Sequence, residues 1–451
     1  MNLNLILGEI KNSLDGRNMK KHIKLLISPL FLFLILFFIY QCEGNKILIS
    51  NPSFDGDYIL KWNDLPNLKD GSDFKLGGFS SIHYLGGREY VLVTGRGPVL
   101  NSVDGKVERI NFLEPSYTPE IVKVKLKDNN KIEILDRNPI KTLRDEKVSG
   151  LPVTNFFNDF EIVNPDVEAQ FWGMNPGGVL YDPSGNYYWV ADKYGPSLFQ
   201  MTGRWGELGE KKGFANIVRR LDPYQGLRKY YLQREGDGGF SGLDIDNKGR
   251  LIAIIEKELI NYPTYIDSVG NVHTVDTLSL NRNRRRFVRF DPASSEFGKW
   301  EQSGLYEVSS SDFDGVDEAA VSINGLAMIN DTTCYINEYG QSNGNTRNLL
   351  VKVILPETIW NSATAEGIFG KSLETLTYHE LDSAGVSFAS KRDIIDISNE
   401  FDKPIAGITK VDGGKIAILA QQNYGIENGN IDAGTYDIIK EDVIVKIIEI
   451  K

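Results

Sequence analysis

Five stretches of the chain share one alternation of apolar and polar positions. Each opens on a small residue, continues as a short apolar strand, turns through Gly, Asp or Asn, and returns as a second apolar strand ending in a polar pair. They run from Ser81 to Arg96, Gly178 to Lys193, Gly242 to Lys257, Gly325 to Tyr339 and Gly407 to Gln422. The spacing from small residue to polar end is fourteen in four copies and thirteen in the copy opened by Gly325. Turns such as Asp182-Pro183-Ser184-Gly185-Asn186 and Asp412-Gly413-Gly414 supply residues that tolerate left-handed backbone, as tight hairpins require. Repeated hairpins separated by unequal inserts suit radial repetition better than a solenoid, whose stacking needs regular spacing. The pattern therefore predicts an all-β chain, a β-propeller after an N-terminal signal segment.

The runs Ile121–Leu126 and Lys131–Leu135 suggest a further blade between Arg96 and Gly178, which sets the expected count at six or seven. The alternating tail Val443–Ile450 and the early Lys46–Ile49 are candidates for closing the ring. Two segments are expected: 1–41 for export and 42–451 as one propeller domain. Lys20, Lys21 and Lys24 precede an apolar run, Leu25–Tyr40, broken only by Ser28 and Pro29 and followed by Cys42. A basic start and an apolar stretch short for a membrane span read as a signal peptide. Cys42 occupies the place of an acylated bacterial lipoprotein cysteine, although Tyr40 and Gln41 are bulkier than the residues usual before one. A lipid-anchored envelope protein, in the periplasm or on the outer membrane, and a plain secreted or N-terminally anchored form are both left open. Membrane contact is expected through the lipid anchor alone.

Composition narrows the chemistry. Of 451 residues 41% are hydrophobic, enough for a large core, and the balance of 50 basic against 61 acidic residues disfavours a sequence-independent grip on nucleic acid. Two cysteines, Cys42 and Cys334, make no disulfide framework, and Cys334 is expected as a buried strand residue. The four histidines show no metal-ligand spacing. No nucleotide loop or nucleophile elbow is present, and Ser241 has no identifiable base.

Equivalent positions of radial repeats fall at one end of the ring. Asp192, Glu256 and Glu338 are therefore expected around a common mouth as catalytic carboxylates, beside Arg96, Lys193 and Lys257. Such a mouth would bind an anionic or ester substrate through its cations while a carboxylate activates water. The alternative is that these groups pair between neighbouring blades or cap strand ends. Arg282, Arg284, Arg285, Arg286 and Arg289 form the densest basic run; Arg286, with Arg347, is a candidate for substrate binding, against a solvated loop edge. Trp172, Trp189, Tyr194 and Tyr339 could stack on a sugar or inositol ring or pack between blades.

The run Asn175–Gly185, ending in Trp189-Val190-Ala191-Asp192-Lys193-Tyr194-Gly195-Pro196, resembles the signature of the phytase-like family, named for the esterase-like activity of phytase. Gly239-Phe240-Ser241-Gly242-Leu243-Asp244-Ile245 and Arg286-Phe287-Val288-Arg289-Phe290-Asp291-Pro292 do so too, and the likeness extends from about Phe79 to the C-terminus. The resemblance implies an exported propeller that hydrolyses a phosphoester or carboxyl ester, expected as a monomer. Where the family has acidic residues this chain has Gly177, Ser241, Asn324, Ala406 and Lys193, so fewer carboxylates remain for calcium, the one cofactor the resemblance leaves open. A non-catalytic surface propeller that binds a ligand or partner protein is the second reading.

Overall fold

A computed structural model describes residues 47–49 and 52–450, apart from 70, 105–106, 154–159, 165–166, 169, 203–214, 225, 235–236, 260–263, 267–271, 275–281, 294–300, 343–344 and 361–372. The export segment and Cys42 lie outside the described residues.

All five repeated hairpins form, and each supplies the first two strands of an antiparallel sheet. Sheet I is Phe79–Gly86, Glu89–Thr94, Glu120–Leu126 and Ile132–Pro139. Sheet II is Pro176–Asp182, Tyr187–Asp192, Ser197–Thr202 and Ile217–Leu221. Sheet III is Phe240–Ile245, Leu251–Ile255, Arg284–Phe290 and Glu301–Glu307. Sheet IV is Ser322–Asn330, Thr333–Ser342, Asn345–Ile354 and Ser390–Asp396, with Ile47–Ile49 along its edge. Sheet V is Ile405–Val411, Lys415–Ala420 and Val443–Glu449, completed by the N-terminal strand Phe54–Leu60. The tail thus closes the last sheet as expected, but its partner is Phe54–Leu60 and not the earlier strand.

The first strands of the five sheets touch in a cycle, and the small opening residues explain how. Each first strand bulges at its opening residue, between Phe79 and Ser81, Pro176 and Gly178, Phe240 and Gly242, Asn324 and Leu326, and Ile405 and Gly407. A Cβ at Gly178 would lie 2.8 Å from that of Leu243; one at Gly242 would lie 2.8 Å from the Gly325 carbonyl carbon; one at Gly325, 2.8 Å from the Ile408 nitrogen; one at Gly407, 2.9 Å from the Ser81 Cα. Ser81 completes the circle, its hydroxyl accepting from the Val179 amide at 3.2 Å. Small residues are needed because each backbone approaches its neighbour where a side chain would stand.

The expected six or seven sheets are not reached among the described residues. Ile121–Leu126 and Ile132–Pro139, expected as a separate blade, are the outer strands of sheet I. They look detached in sequence because the hairpin Val99–Asp104 and Val107–Phe112 intervenes and builds its own small sheet with Phe160–Ile162. Apolar clusters fill the gaps between sheets, one packing Leu180, Trp189 and Leu198 against Leu243, Ala253 and Val288, another joining Ile252 and Phe287 to Ile336 and Val351. Cys334 is buried in the latter cluster, and that burial pushes its thiol well above the ordinary range.

Candidate functional site

All five sheets contribute to a polar cavity of about 360 Å³ over the openings of their first strands and the ends of their second. Its charged groups come from sheets I to III. Lys193 and Glu256 directly follow the second strands of sheets II and III, and Arg96 stands two residues past that of sheet I, so the ends of equivalent strands deliver all three. The fourth, Asp237, stands in the loop that leads into sheet III. Arg96 Nη1 lies 3.1 Å from Asp237 Oδ2, and Lys193 Nζ lies 2.6 Å from Glu256 Oε2. Burial lowers the Lys193 pKa, but Glu256 and then Asp237 outweigh it, and the ammonium is held above its ordinary range. Positive and negative groups therefore alternate across three sheets.

Asn175 links the pairs. Its side-chain nitrogen donates to Asp237 at 3.2 Å, and its carbonyl accepts from the Lys193 amide at 2.9 Å. The Lys193 carbonyl in turn accepts from Gly239 at 3.0 Å, which ties the loop carrying Asp237 to sheet II. Sheets IV and V line the facing wall with neutral groups, among them Asn324, Tyr339 and Gln422. Gln422 is fixed at both ends, accepting from the Gly78 amide and donating to the Glu441 carbonyl, each at 3.0 Å.

Two of the three expected carboxylates do not reach this cavity. Asp192 is buried under it and accepts from the Asn175 amide at 2.7 Å and the Gly195 amide at 3.4 Å. Burial raises its pKa to about 6 against the opposing pull of those amides. By holding Asn175, Asp192 is a positioning residue for Asp237. Glu338 is fully buried and paired with Lys391 at 2.8 Å, beside Tyr306 and Asp312. Glu256 alone of the three lines the cavity.

The arginine candidates are also elsewhere. The run Arg284–Arg289, expected as substrate-binding or as a solvated edge, is the third strand of sheet III and is buried throughout. Arg286 Nε donates to Glu374 Oε1 at 2.8 Å, and its guanidinium carbon lies 3.9 Å from the centre of the Tyr230 ring. Arg284 and Arg285 donate to main-chain carbonyls such as those of Leu376 and Val321. Arg347 pairs with Asp314 at 3.3 Å and Asp396 at 3.4 Å, away from the mouth. Lys257 reaches the Ala320 carbonyl. Trp189 and Tyr194 are core residues, and Tyr339 is the one expected aromatic that faces the cavity. The Ser241 hydroxyl donates to the Ile323 carbonyl and is buried, so it holds two sheets together and does not present a nucleophile.

Sequence reasoning missed Asp237 and Asn175, because neither belongs to a hairpin. The Gly239-Phe240 opening that follows Asp237 placed it near the mouth, but nothing in the loop marked its direction. Among the described residues no three His, Cys, Asp or Glu side chains gather closely enough to hold a metal ion.

Five antiparallel sheets whose first strands touch in a cycle, with a charged cavity over their openings, define an all-β protein with a polar mouth. Residues 75–403 match the family model Phytase-like, esterase-like activity of phytase, and the chain belongs to that family. No curated protein matches the sequence. Among solved structures, the chain is similar to a Bacteroides uniformis protein assigned as a 6-phosphogluconolactonase, at 9% identity and a TM-score of 0.31, over 83% of this chain and 87% of that one. It is also similar to the PQQ-bound aldose sugar dehydrogenase of Streptomyces coelicolor, at 11% identity and a TM-score of 0.30, over 88% and 99%. A Bacteroides fragilis protein assigned as exported shares 7% identity at a TM-score of 0.30, over 90% and 99%. These likenesses carry no chemistry across.

Proposed function

We propose that the chain is an exported, five-bladed β-propeller that binds an ester in the mouth cavity and hydrolyses it. The observation that carries this is the convergence of Arg96, Lys193, Asp237 and Glu256 from three sheets onto one wall. Arg96 and Lys193 would face the oxygens on which charge develops in acyl or phosphoryl transfer, where fixed cations act most strongly in a partly dry site. Glu256 would take the proton from the attacking water once substrate draws Lys193 away from it. Such a base contributes roughly a hundredfold to ten-thousandfold in rate. The neutral wall would orient the alcohol part of the substrate. Export rests on the basic and apolar N-terminal run, and lipid anchoring on Cys42.

A second reading, ligand capture without turnover, is favoured by the burial of Asp192 and Glu338, which leaves fewer carboxylates at the mouth than hydrolysis was expected to use. The test is an assay of the purified protein on phosphomonoesters, phytate and short acyl esters, with and without calcium, beside Glu256→Gln. Hydrolysis is expected in the parent and at least a hundredfold less in the variant, with unchanged thermal unfolding. No turnover on any substrate, from a folded protein, would replace hydrolysis with the binding reading.

A further inference from the structure

We propose a second ligand site, for a small neutral polyol of monosaccharide size, in the cavity at the turn end of the ring, opposite the mouth. This cavity, of about 200 Å³, is shaped by first strands of sheets I, III, IV and V. Its polar groups are His83, Asp244, Asp246, Asn247, Asn330, Thr409 and Lys410.

The imidazole of His83 is half-buried and has no hydrogen-bond partner among the described residues. Burial holds its pKa down at about 4, so near neutrality it offers one N–H donor and one nitrogen acceptor. Thr409 accepts from the Tyr84 amide at 3.2 Å, which leaves its hydroxyl proton to donate. Asn330 accepts through Oδ1 from Thr332, leaving its amide hydrogens. These groups offer both halves of hydrogen bonds, as hydroxyl groups require.

The ionic groups are already engaged. Lys410 Nζ donates to the Ile329 carbonyl at 2.7 Å. Asp244 accepts from the Met328 amide at 2.7 Å and the Ile245 amide at 2.8 Å. The neighbouring Asp246 takes Arg250 Nε and the Lys248 and Arg250 amides. An anion would meet the Asp246 carboxylate, with Asp244 adding to it where ionised, and a cation would meet Lys410. A neutral polyol meets neither penalty, and Ile245, Met328 and Ile329 give its carbon-bound hydrogens an apolar wall.

Saturation-transfer NMR on the purified protein with D-glucose, D-xylose and glycerol, and with acetate and phosphate as charged probes, tests the site. The expected result is transfer to at least one polyol and to neither anion. Affinity should fall at least tenfold in both His83→Phe and Thr409→Val and be unchanged in Glu256→Gln. Absence of transfer to every polyol, binding of the anions instead, or a signal that survives the first two variants and disappears in Glu256→Gln would each overturn the proposal. The Glu256→Gln arm separates this site from the mouth, so either assignment can fail alone.

Discussion

Changing Glu374 to Gln should destabilise the protein by about 3 kcal/mol while leaving the mouth intact, because a buried cation that loses its counter-ion costs about 3–5 kcal/mol. Arg286 is 1% exposed, and Glu374 makes two contacts to its guanidinium, the Nε contact at 2.8 Å. At an effective dielectric constant of about 20, unit charges roughly 4 Å apart attract by about 4 kcal/mol, which agrees with that range. Two features hold the loss at its lower end. The amide that replaces the carboxylate keeps one oxygen acceptor, and the Tyr230 ring stays under the cation at 3.9 Å. Removing both charges, as Arg286→Met with Glu374→Met, should cost less than either single change, since no charge is left stranded. Guanidinium titrations of the parent, both single variants and the double variant, followed by tryptophan fluorescence, give the comparison. A Glu374→Gln midpoint equal to the parent's, or a double variant as unstable as the worse single one, would refute the argument. Ligand binding at the mouth should not change, since the pair joins the third strand of sheet III to the segment around Glu374.

Three further outcomes follow from the same geometry. Gly242→Ala would place a methyl 2.8 Å from both the Gly325 carbonyl carbon and the Leu326 Cβ, and overpacking of this kind costs about 1–3 kcal/mol, read as a lower midpoint in denaturant with an unchanged slope. Burial raises the folded-state pKa of Asp244 to about 7 against 3.8, so the folded state holds its proton longer than the unfolded state; the parent should lose up to about 4 kcal/mol relative to Asp244→Asn between pH 4 and 7, and parallel stability curves would count against it. Lys193→Gln removes the ammonium proposed to face the developing charge, so kcat/KM on any ester that is turned over should fall about a hundredfold; an unchanged kcat/KM would remove Lys193 from the site.

How much of this was legible in the sequence depended on how local the cause was. The five hairpins were visible because turn chemistry and strand alternation lie within about fifteen residues. Their small opening residues were visible too, but the bulged approach of neighbouring sheets that requires them is seen only in the structure. A separate blade was expected at Ile121–Leu126 because a sheet's outer strands can stand far from its hairpin, as Glu120–Leu126 does beyond the insert that starts at Val99. Arg96, Lys193 and Glu256 were found because they end equivalent hairpins, in two adjoining columns of the repeat. Asp192 and Glu338 stand in the same column as Glu256, yet their side chains turn inward to backbone amides and to Lys391, and no periodicity reports a direction of that kind. The arginine run misled for a related reason: five cations in eight residues look solvated until Glu374, Glu357 and main-chain carbonyls, distant in sequence, are seen covering all but Arg282.

The pairing of Phe54–Leu60 with Val443–Glu449 has a bearing on synthesis. The four main strands of sheets I to IV can each assemble from consecutive stretches as the chain lengthens. Sheet V cannot, because Phe54–Leu60 is made before the other four hairpins and Val443–Glu449 after them. Until then Phe54–Leu60 carries an unsatisfied edge, and the gap between the first and fourth sheets stays open. Bringing these two strands together closes a loop that spans the other four sheets, a slow step that follows their formation. A chain released a few residues before Val443 would hold four finished sheets and an unpaired strand, open to a neighbouring copy, so quality control of this fold falls on Val443–Glu449.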